Sequence, residues 1–184
     1  MKKLPLLFVF MMCSTLLFGQ GVGVGIKAGV NFANLSGPDD INTSSITSFH
    51  GGGYINLNFS EKIGLTPEVL WTAFGSEIDN AKLVTNYISI PLMLRWKPVS
   101  LISLEAGPQF NFLVSADFDG TDFKDQLKSN EFGLGLGAGL HFPLGLNVGA
   151  RYILGFTDIN EVGTDEIKNR TFQLYAGWTL FGAK

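Results

Sequence analysis

The sequence predicts an all-β fold, a transmembrane up-and-down antiparallel β-barrel of about eight strands. Residues 132–142 show the pattern most clearly, because apolar side chains alternate there with four glycines and His141. A period of two is typical of a β-strand, and it recurs along most of the chain. An apolar N-terminal segment that resembles an export signal comes first, and no apolar run long enough for a membrane-spanning helix follows it. Exported chains of alternating strands are typical of outer-membrane barrels.

Residues 1–19 are predicted to be a secretory signal peptide. Lys2 and Lys3 supply its positive region, and the apolar run after them is shorter than the about 20 residues that a helix needs to span a bilayer. The run ends in Leu-Phe-Gly-Gln, so we place cleavage after Gly19. The barrel domain is then 20–184.

Cys13, the only cysteine, offers an alternative, namely a lipoprotein signal. Met11 and Met12 precede it where small residues are needed, which disfavours lipidation. A chain cleaved after Gly19 has no cysteine, so we expect no disulfide. It carries 11 basic and 16 acidic residues, and this negative balance argues against nucleic acid as a partner.

Eight segments of the domain alternate in this way, which is the smallest even strand number common among outer-membrane barrels. In chain order, the predicted strands are Val22 to Ser36, Thr47 to Ser60, Ile63 to Ser76, Thr85 to Lys97, Leu101 to Ala116, Asn130 to Phe142, Gly145 to Thr157 and Arg170 to Phe181.

The connections between these segments alternate between tight and long. Short turns at one end and long loops at the other are typical of a membrane barrel, and with the N-terminus in the periplasm every long loop falls outside the cell. The tight connections are 61–62, 98–100 and 143–144, and the long acidic ones are 37–46, 77–84, 117–129 and 158–169.

The apolar face of each segment distinguishes a membrane barrel from a soluble, lipocalin-like one. In 85–97 the even-numbered residues from Ile88 to Trp96 are apolar, whereas the opposite face includes Ser89 and Arg95. A soluble barrel needs a polar outer face, whereas a membrane barrel needs an apolar one and tolerates a polar interior. The polar face is a poor lining for an apolar pocket, so we favour the membrane barrel.

Aromatic residues of the apolar faces cluster at two heights, as expected for side chains at the two membrane interfaces. The predicted outer group is Phe32, Phe49, Trp71, Phe112, Phe132, Phe156 and Phe172, and the inner group is Phe59, Trp96, Phe142 and Trp178.

Five charged residues fall on the predicted lumen face, away from the strand ends: Lys27, Glu68, Arg95, Glu105 and Arg151. An unpaired charge in a narrow lumen costs several kcal/mol, so we expect partners. Gly137 and Gly139 leave room for Glu105 to meet Arg151, and Lys27 with Glu68 is a second plausible pair. The network is either an ion path or a plug of salt-bridged side chains; the narrow interior of an eight-stranded barrel favours the plug.

The densest acidic loop contains Asp117, Asp119 and Asp122, a weak candidate for a calcium site. The spacing lacks the distal bidentate glutamate of an EF-hand, so a solvated loop is the favoured interpretation. The sequence indicates no cofactor.

Catalysis has little support in the sequence. The two histidines, His50 and His141, are predicted to lie at opposite ends of the barrel. A lipid hydrolase or acyltransferase needs a histidine, a serine and an acid at the outer rim. His50, Ser48 and Glu77 are the only set we find, and we favour reading them as lumen polar residues near the loops.

Two strands carry motifs of a recognisable kind, G-x-K-x-G-x-N in the first and I-P-x-x-L-R in the fourth. They comprise Gly25, Lys27, Gly29 and Asn31, then Ile90, Pro91, Leu94 and Arg95.

These motifs, with the strand count and loop order, resemble the small outer-membrane β-barrel family often labelled PorT-like, over essentially the whole mature chain. The resemblance implies an outer-membrane barrel. It implies no particular activity, since the family name comes from a relative linked to protein secretion and gliding, and most members have no assigned function.

Some residues depart from the expected pattern. Pro67, Pro91 and Pro108 lie within predicted strands, where each removes a ladder donor, so each requires a bulge or a gap in the ladder. Barrel chains commonly end on an aromatic residue that faces lipid, whereas here Leu180 has that parity and Phe181 does not.

The sequence therefore predicts a non-enzymatic protein of the cell outer membrane with a packed polar lumen, long extracellular loops and a structural or interaction role. A narrow pore for small solutes is the alternative, and a lipid-modifying enzyme is less favoured. The expected partners are outer-membrane lipid and proteins that contact the loops, and a monomer is favoured.

Overall fold

A computed structural model describes residues 21–36, 43–78, 81–118, 121–122, 129–158 and 168–182. Eight long strands and one two-residue strand make up almost all of this part of the chain. They are β1 Val22–Ser36, β2 Thr43–Asn58, β3 Ile63–Ile78, β4 Ala81–Val99, β5 Ile102–Phe118, β6 Thr121–Asp122, β7 Asn130–His141, β8 Leu146–Asp158 and β9 Lys168–Gly182.

The long strands form a closed antiparallel barrel. Neighbours in the chain pair with one another, β7 pairs with β5, and β1 pairs with β9 to join the first and last strands. The fold class predicted from the sequence is confirmed. We call the end that carries residues 21 and 182 the turn end and the opposite one the loop end.

The predicted strand bounds are correct to within two residues at the turn end. At the loop end they match β1 and β7 and are one to four residues short in the other long strands. The predicted long connection 77–84 is wrong, because β3 and β4 continue until Ile78 pairs with Ala81 and only two residues separate them. Strands that extend beyond the membrane have no need of an apolar outer face, so their hydropathy does not alternate and they resemble a loop.

The outer face of the barrel is apolar, as a membrane barrel requires. Val69, Trp71, Leu94 and Trp96 are each about half exposed. The aromatics of the predicted outer and inner groups are exposed as well, and several rings of the outer group contact one another. Among the described residues there is no helix long and apolar enough to cross a membrane.

The lumen face is polar but not uniformly so. Its turn-end half carries mostly charged and amide groups, whereas Leu70, Phe74, Leu113 and Ile153 are buried among the polar side chains of its loop-end half. The lumen predicted to be polar therefore contains an apolar portion as well. A bulge in β5 contributes, because the β4–β5 register shifts at Asn86 and Ala116 is then buried in place of Ser115.

The prolines and the C-terminal aromatic have structural explanations. The ladder is interrupted beside Pro67 and Pro91 with no change of register, so their missing donors fall at gaps rather than bulges. At the last strand a register shift places Phe181 opposite Val24. Phe181 is thereby 72% exposed on the outer face, alongside Leu180, which corrects the parity inferred from the sequence.

Candidate functional site

Four charged side chains meet in the middle of the lumen, and we call them the central charge cluster: Lys27 of β1, Glu68 of β3, Glu105 of β5 and Arg151 of β8. Arg151 donates from Nη1 and Nη2 to the two carboxylate oxygens of Glu68, at 3.0 and 2.9 Å. Its Nη2 also donates to Oε2 of Glu105 at 3.0 Å. Lys27 Nζ donates to Oε1 of Glu68 at 2.5 Å.

Both ion pairs expected from the sequence are thus present, with one addition. Glu68 binds Arg151 as well as Lys27, and this joins the two pairs into a single cluster of two cations and two anions. The cluster is electrically neutral and Arg151 is only 1% exposed. Salt bridges of this kind need matched charges and further hydrogen bonds to offset desolvation.

Glycines on neighbouring strands make room for the cluster. Gly137 lies in register between Glu105 and Arg151, where a Cβ would stand 2.8 Å from the carbonyl oxygen of Ala150. Lys27 is flanked in the same way by Gly52 and Gly177. Long side chains therefore reach the axis without crowding from their nearest neighbours.

Two tyrosines complete the contacts of the cluster. Lys27 Nζ lies 4.0 Å from the ring centroid of Tyr175 and 5.6 Å from that of Tyr54. Arg151 Cζ lies 5.5 Å from the Tyr175 ring. Cations over aromatic faces gain electrostatic attraction that grows when water is excluded. The rings and the ion pairs therefore lie together at one height of the lumen.

The G-x-K-x-G-x-N motif of β1 has a direct explanation in this packing. A Cβ at Gly25 would stand 2.4 Å from the Tyr54 ring, and one at Gly29 would stand 2.5 Å from the His50 ring. Lys27 enters the cluster, and Asn31 accepts hydrogen bonds from His50 Nδ1 and Gln173 Nε2 at 2.7 and 2.9 Å. Each named position of the motif thus contributes to packing, ion pairing or hydrogen bonding in the lumen.

Arg95, the fifth predicted residue, lies outside the cluster. Its Nη1 donates to Oδ1 of Asn56 and its Nη2 to Oδ1 of Asn58, both at 2.6 Å. Glu105 is its Cα partner on β5, yet no ion pair within 4.0 Å joins the two residues. Arg95 is 5% exposed and lies on the turn-end side of the cluster.

Sequence reasoning missed Glu131, a lumen charge that is buried at the loop end of β7. Tyr87 donates its hydroxyl to Oε1 of Glu131 at 2.6 Å. The signal was available, because Phe132 faces lipid and its neighbour must then face inward. Glu131 lies at the very start of the strand, so it is not among the predicted lumen charges, which lie away from the strand ends.

In the set considered for lipid hydrolysis, the two described side chains, Ser48 and His50, hydrogen-bond to other groups. Ser48 donates its hydroxyl to the carbonyl of Ala73 at 2.5 Å, and His50 contacts Asn31. The backbone of Glu77 pairs with Ser44, which precedes Ser48 by four residues on β2. The side chain of Glu77 lies outside the described part. His141 is at the other end of the barrel, where its Nε2 lies 2.9 Å from Oγ of Ser103.

The weak calcium candidate lies partly outside the described residues, because Asp119 belongs to 119–120. Asp117 and Asp122 are Cα partners in the hairpin of β5 and β6. In the portion of the chain that is described, no group of three or more His, Cys, Asp or Glu side chains is arranged to hold a metal ion.

Comparison with known protein families identifies this architecture. The family described as outer membrane protein beta-barrel domain matches residues 18–161, which is more than half of the chain. The chain belongs to this family. It is therefore an outer-membrane β-barrel protein, and the PorT-like resemblance is a narrower statement that this match does not reach.

Solved structures of small outer-membrane barrels share the fold. Neisserial surface protein A matches with a TM-score of 0.59 and 13% identity, covering 87% of this chain and 99% of that one. Ail, the attachment invasion locus protein of Yersinia pestis, has a TM-score of 0.51 and 19% identity, covering 86% and 98%. OprG of Pseudomonas aeruginosa has a TM-score of 0.52 and 11% identity, covering 86% and 95%. No curated protein matches the sequence.

Proposed function

We propose that this family member is a non-enzymatic outer-membrane protein with a packed lumen, and that its role is structural or lies in interactions made by its loop end. The central charge cluster is the observation that carries the proposal. Four mutually bound charges and two tyrosine rings occupy the axis of a barrel whose interior is only wide enough for side chains. A barrel closed in this way offers other molecules its surfaces and its two ends, not a path through its interior.

Conductance in a planar bilayer tests the closed lumen. We expect the folded, reconstituted protein to show no steady current. The double substitution Glu68→Ala with Arg151→Ala removes the centre of the cluster without changing net charge, and it serves as a positive control for a water path. Steady conductance in the parent protein would support the alternative of a narrow pore for small solutes.

The resemblance to PorT-like proteins is part of the proposal. Its support is that the first-strand motif is explained residue by residue through lumen packing, so the motif marks a way of filling a small barrel. A role in secretion or gliding does not follow from such a motif.

The orientation in the membrane is also proposed: the loop end faces the exterior and the turn end the periplasm. The chain processed after Gly19 has no cysteine, which permits single-cysteine labelling. Ser129 and Ser100 are matched exposed serines at the loop end and the turn end. In intact cells, a membrane-impermeant maleimide should label Ser129→Cys and not Ser100→Cys; the reverse result would invert the topology. Mass spectrometry of the purified protein tests cleavage after Gly19.

A further inference from the structure

A second group of charges lies nearer the turn end of the lumen, and we call it the turn-end basic cluster: Arg95, Lys97 and His141. Lys97 follows Arg95 by two residues on the same face of β4, where alternate side chains lie together. Lys97 follows and Ser103 precedes the last regular β4–β5 pair, Trp96 with Leu104, after which the register becomes irregular. The Ser103 hydroxyl oxygen lies 2.9 Å from His141 Nε2.

The guanidinium of Arg95 is only partly used by its neighbours. It has five N–H donors, and its contacts with Asn56 and Asn58 use one on each Nη atom. Asn58 is the last residue of β2, so Nη2 lies close to the turn-end opening. Gly64 leaves the space that the guanidinium needs, since a Cβ there would stand 3.2 Å from Nη2.

The positive charge of this cluster has no carboxylate partner within the described residues. Glu105 is nearest in register, but its Oε2 accepts from Arg151 in the central charge cluster. Glu61 lies in an exposed turn outside the lumen. Neutral amide oxygens hold the Arg95 guanidinium in place, and no salt bridge within the described residues neutralises its charge. A buried cation in that condition attracts an anion more strongly than a surface cation does.

We propose that the turn-end basic cluster is a binding site for a phosphate-type oxyanion, with Arg95 and Lys97 as its principal ligands. The guanidinium fork matches a tetrahedral oxyanion in two-point contact, whereas the lysine ammonium supplies a point charge. Arg95 is preorganised for this purpose, because two short hydrogen bonds fix the plane of its guanidinium. The site lies on the turn-end side of the central charge cluster, and Lys97 is its more accessible ligand.

Isothermal titration of the folded full-length protein with inorganic phosphate tests the site. The protein is held in maltoside micelles, which contain no phosphate, and chloride at equal ionic strength is the reference. We expect saturable heat with phosphate and none with chloride. Loss of one charge-assisted contact in Arg95→Gln should weaken binding about tenfold or more.

Lys62→Gln is the matched control, because it removes one positive charge from an exposed turn beside the opening. It should leave phosphate affinity unchanged, whereas Lys97→Gln should weaken it. Lys97 is less buried than Arg95, so this variant keeps the test decisive if Arg95→Gln does not fold. Equal responses to phosphate and chloride, or equal losses in Lys62→Gln and Arg95→Gln, would overturn the proposal.

Competition identifies the source of the phosphate group. Adding a short-chain phosphatidic acid to phosphate-loaded protein displaces the inorganic ion if the site takes a lipid headgroup that reaches the turn end. If the lipid does not compete, the site takes a free oxyanion. Arg95→Gln should weaken the binding of whichever phosphate compound the parent protein prefers.

Discussion

Two buried arginines in one lumen have opposite surroundings. Arg151 donates to two carboxylates, and its charge is balanced within the central charge cluster. Arg95 donates to two asparagine oxygens, and no carboxylate of the described residues pairs with it. Their burial is nearly the same, at 1% and 5% exposed. The two arginines therefore differ in the chemistry of their partners. Carboxylates neutralise Arg151, which makes it a structural element, whereas amide oxygens leave the charge of Arg95 able to attract an anion.

Neighbouring strands account for the difference. Arg151 has a glycine between itself and Glu105, and it reaches Glu68 across the axis. Arg95 turns away from Glu105, its Cα partner, and crosses Gly64 toward β2. The placement of glycines decides which partners a long side chain reaches in a lumen this narrow.

Arg151→Leu should have the largest effect on stability. It leaves Glu68 with Lys27 alone and Glu105 without its cationic partner, and breaking a buried ion pair in this way costs about 3–5 kcal/mol. Unfolding by urea in detergent micelles or lipid vesicles measures the loss. Leucine keeps most of the side-chain volume, so the loss reports charge rather than a cavity.

The double variant Arg151→Leu with Glu105→Leu is the control for that experiment. It leaves Lys27 and Glu68 as a balanced pair, so it should recover part of the loss. Strict additivity of the two substitutions would show that the contact between Arg151 and Glu105 contributes nothing to stability.

Much of the barrel was predictable from the sequence because every strand that crosses lipid needs an apolar outer face, which alternates with the lumen face. Alternation identified the lumen face of Lys27, Glu68, Glu105 and Arg151 correctly, and the run of glycines in β7 indicated where Glu105 and Arg151 meet. The joining of both pairs through Glu68 was not predictable, because alternation gives the face of a residue but not which residues meet across the lumen.

Arg95→Leu should cost clearly less than Arg151→Leu. Thr66 also donates to Oδ1 of Asn56, so only the Oδ1 of Asn58 loses its described donor. Removing a charge that no carboxylate balances offsets part of that loss, and we expect about 1–2 kcal/mol. The same urea titration applies. A loss equal to that of Arg151→Leu would mean that Arg95 has a strong anionic partner in the folded protein.

Gly64→Ala tests the space that positions Arg95. A Cβ would stand 2.9 Å from the carbonyl oxygen of Leu57 and 3.2 Å from Nη2 of Arg95, so backbone or guanidinium must shift, at about 1–2 kcal/mol. Gly53→Ala is the matched control on the outer face, where the nearest atom is 3.6 Å away. The cost of Gly64→Ala should fall in an Arg95→Leu background. An unchanged cost would assign the strain to the backbone alone.

The regions that were not predicted are those in which the alternation between an apolar outer face and a polar lumen face is absent or shifted. The loop-end extensions of β3 and β4 have no alternation to detect, and Glu131 lies at a strand start. The bulge that turns Phe181 outward changes the parity of only two described residues, Phe181 and Gly182. In each case the position of the residues near a strand end, rather than their type, limited what the alternating pattern could predict.

Trp178→Phe should have the smallest effect and supplies a baseline for the two arginines. Trp178 donates its indole N–H to the carbonyl of Leu144 at 3.1 Å, on the outer face near the turn end. Phenylalanine keeps most of the apolar surface and loses one neutral, exposed hydrogen bond, which contributes about 0.5–1 kcal/mol. Urea unfolding monitored by circular dichroism avoids relying on the fluorophore that is removed. If Arg95→Leu costs no more than Trp178→Phe, the two amide contacts of Arg95 add little to the fold, and holding the guanidinium in position for an anion is then the better account of them.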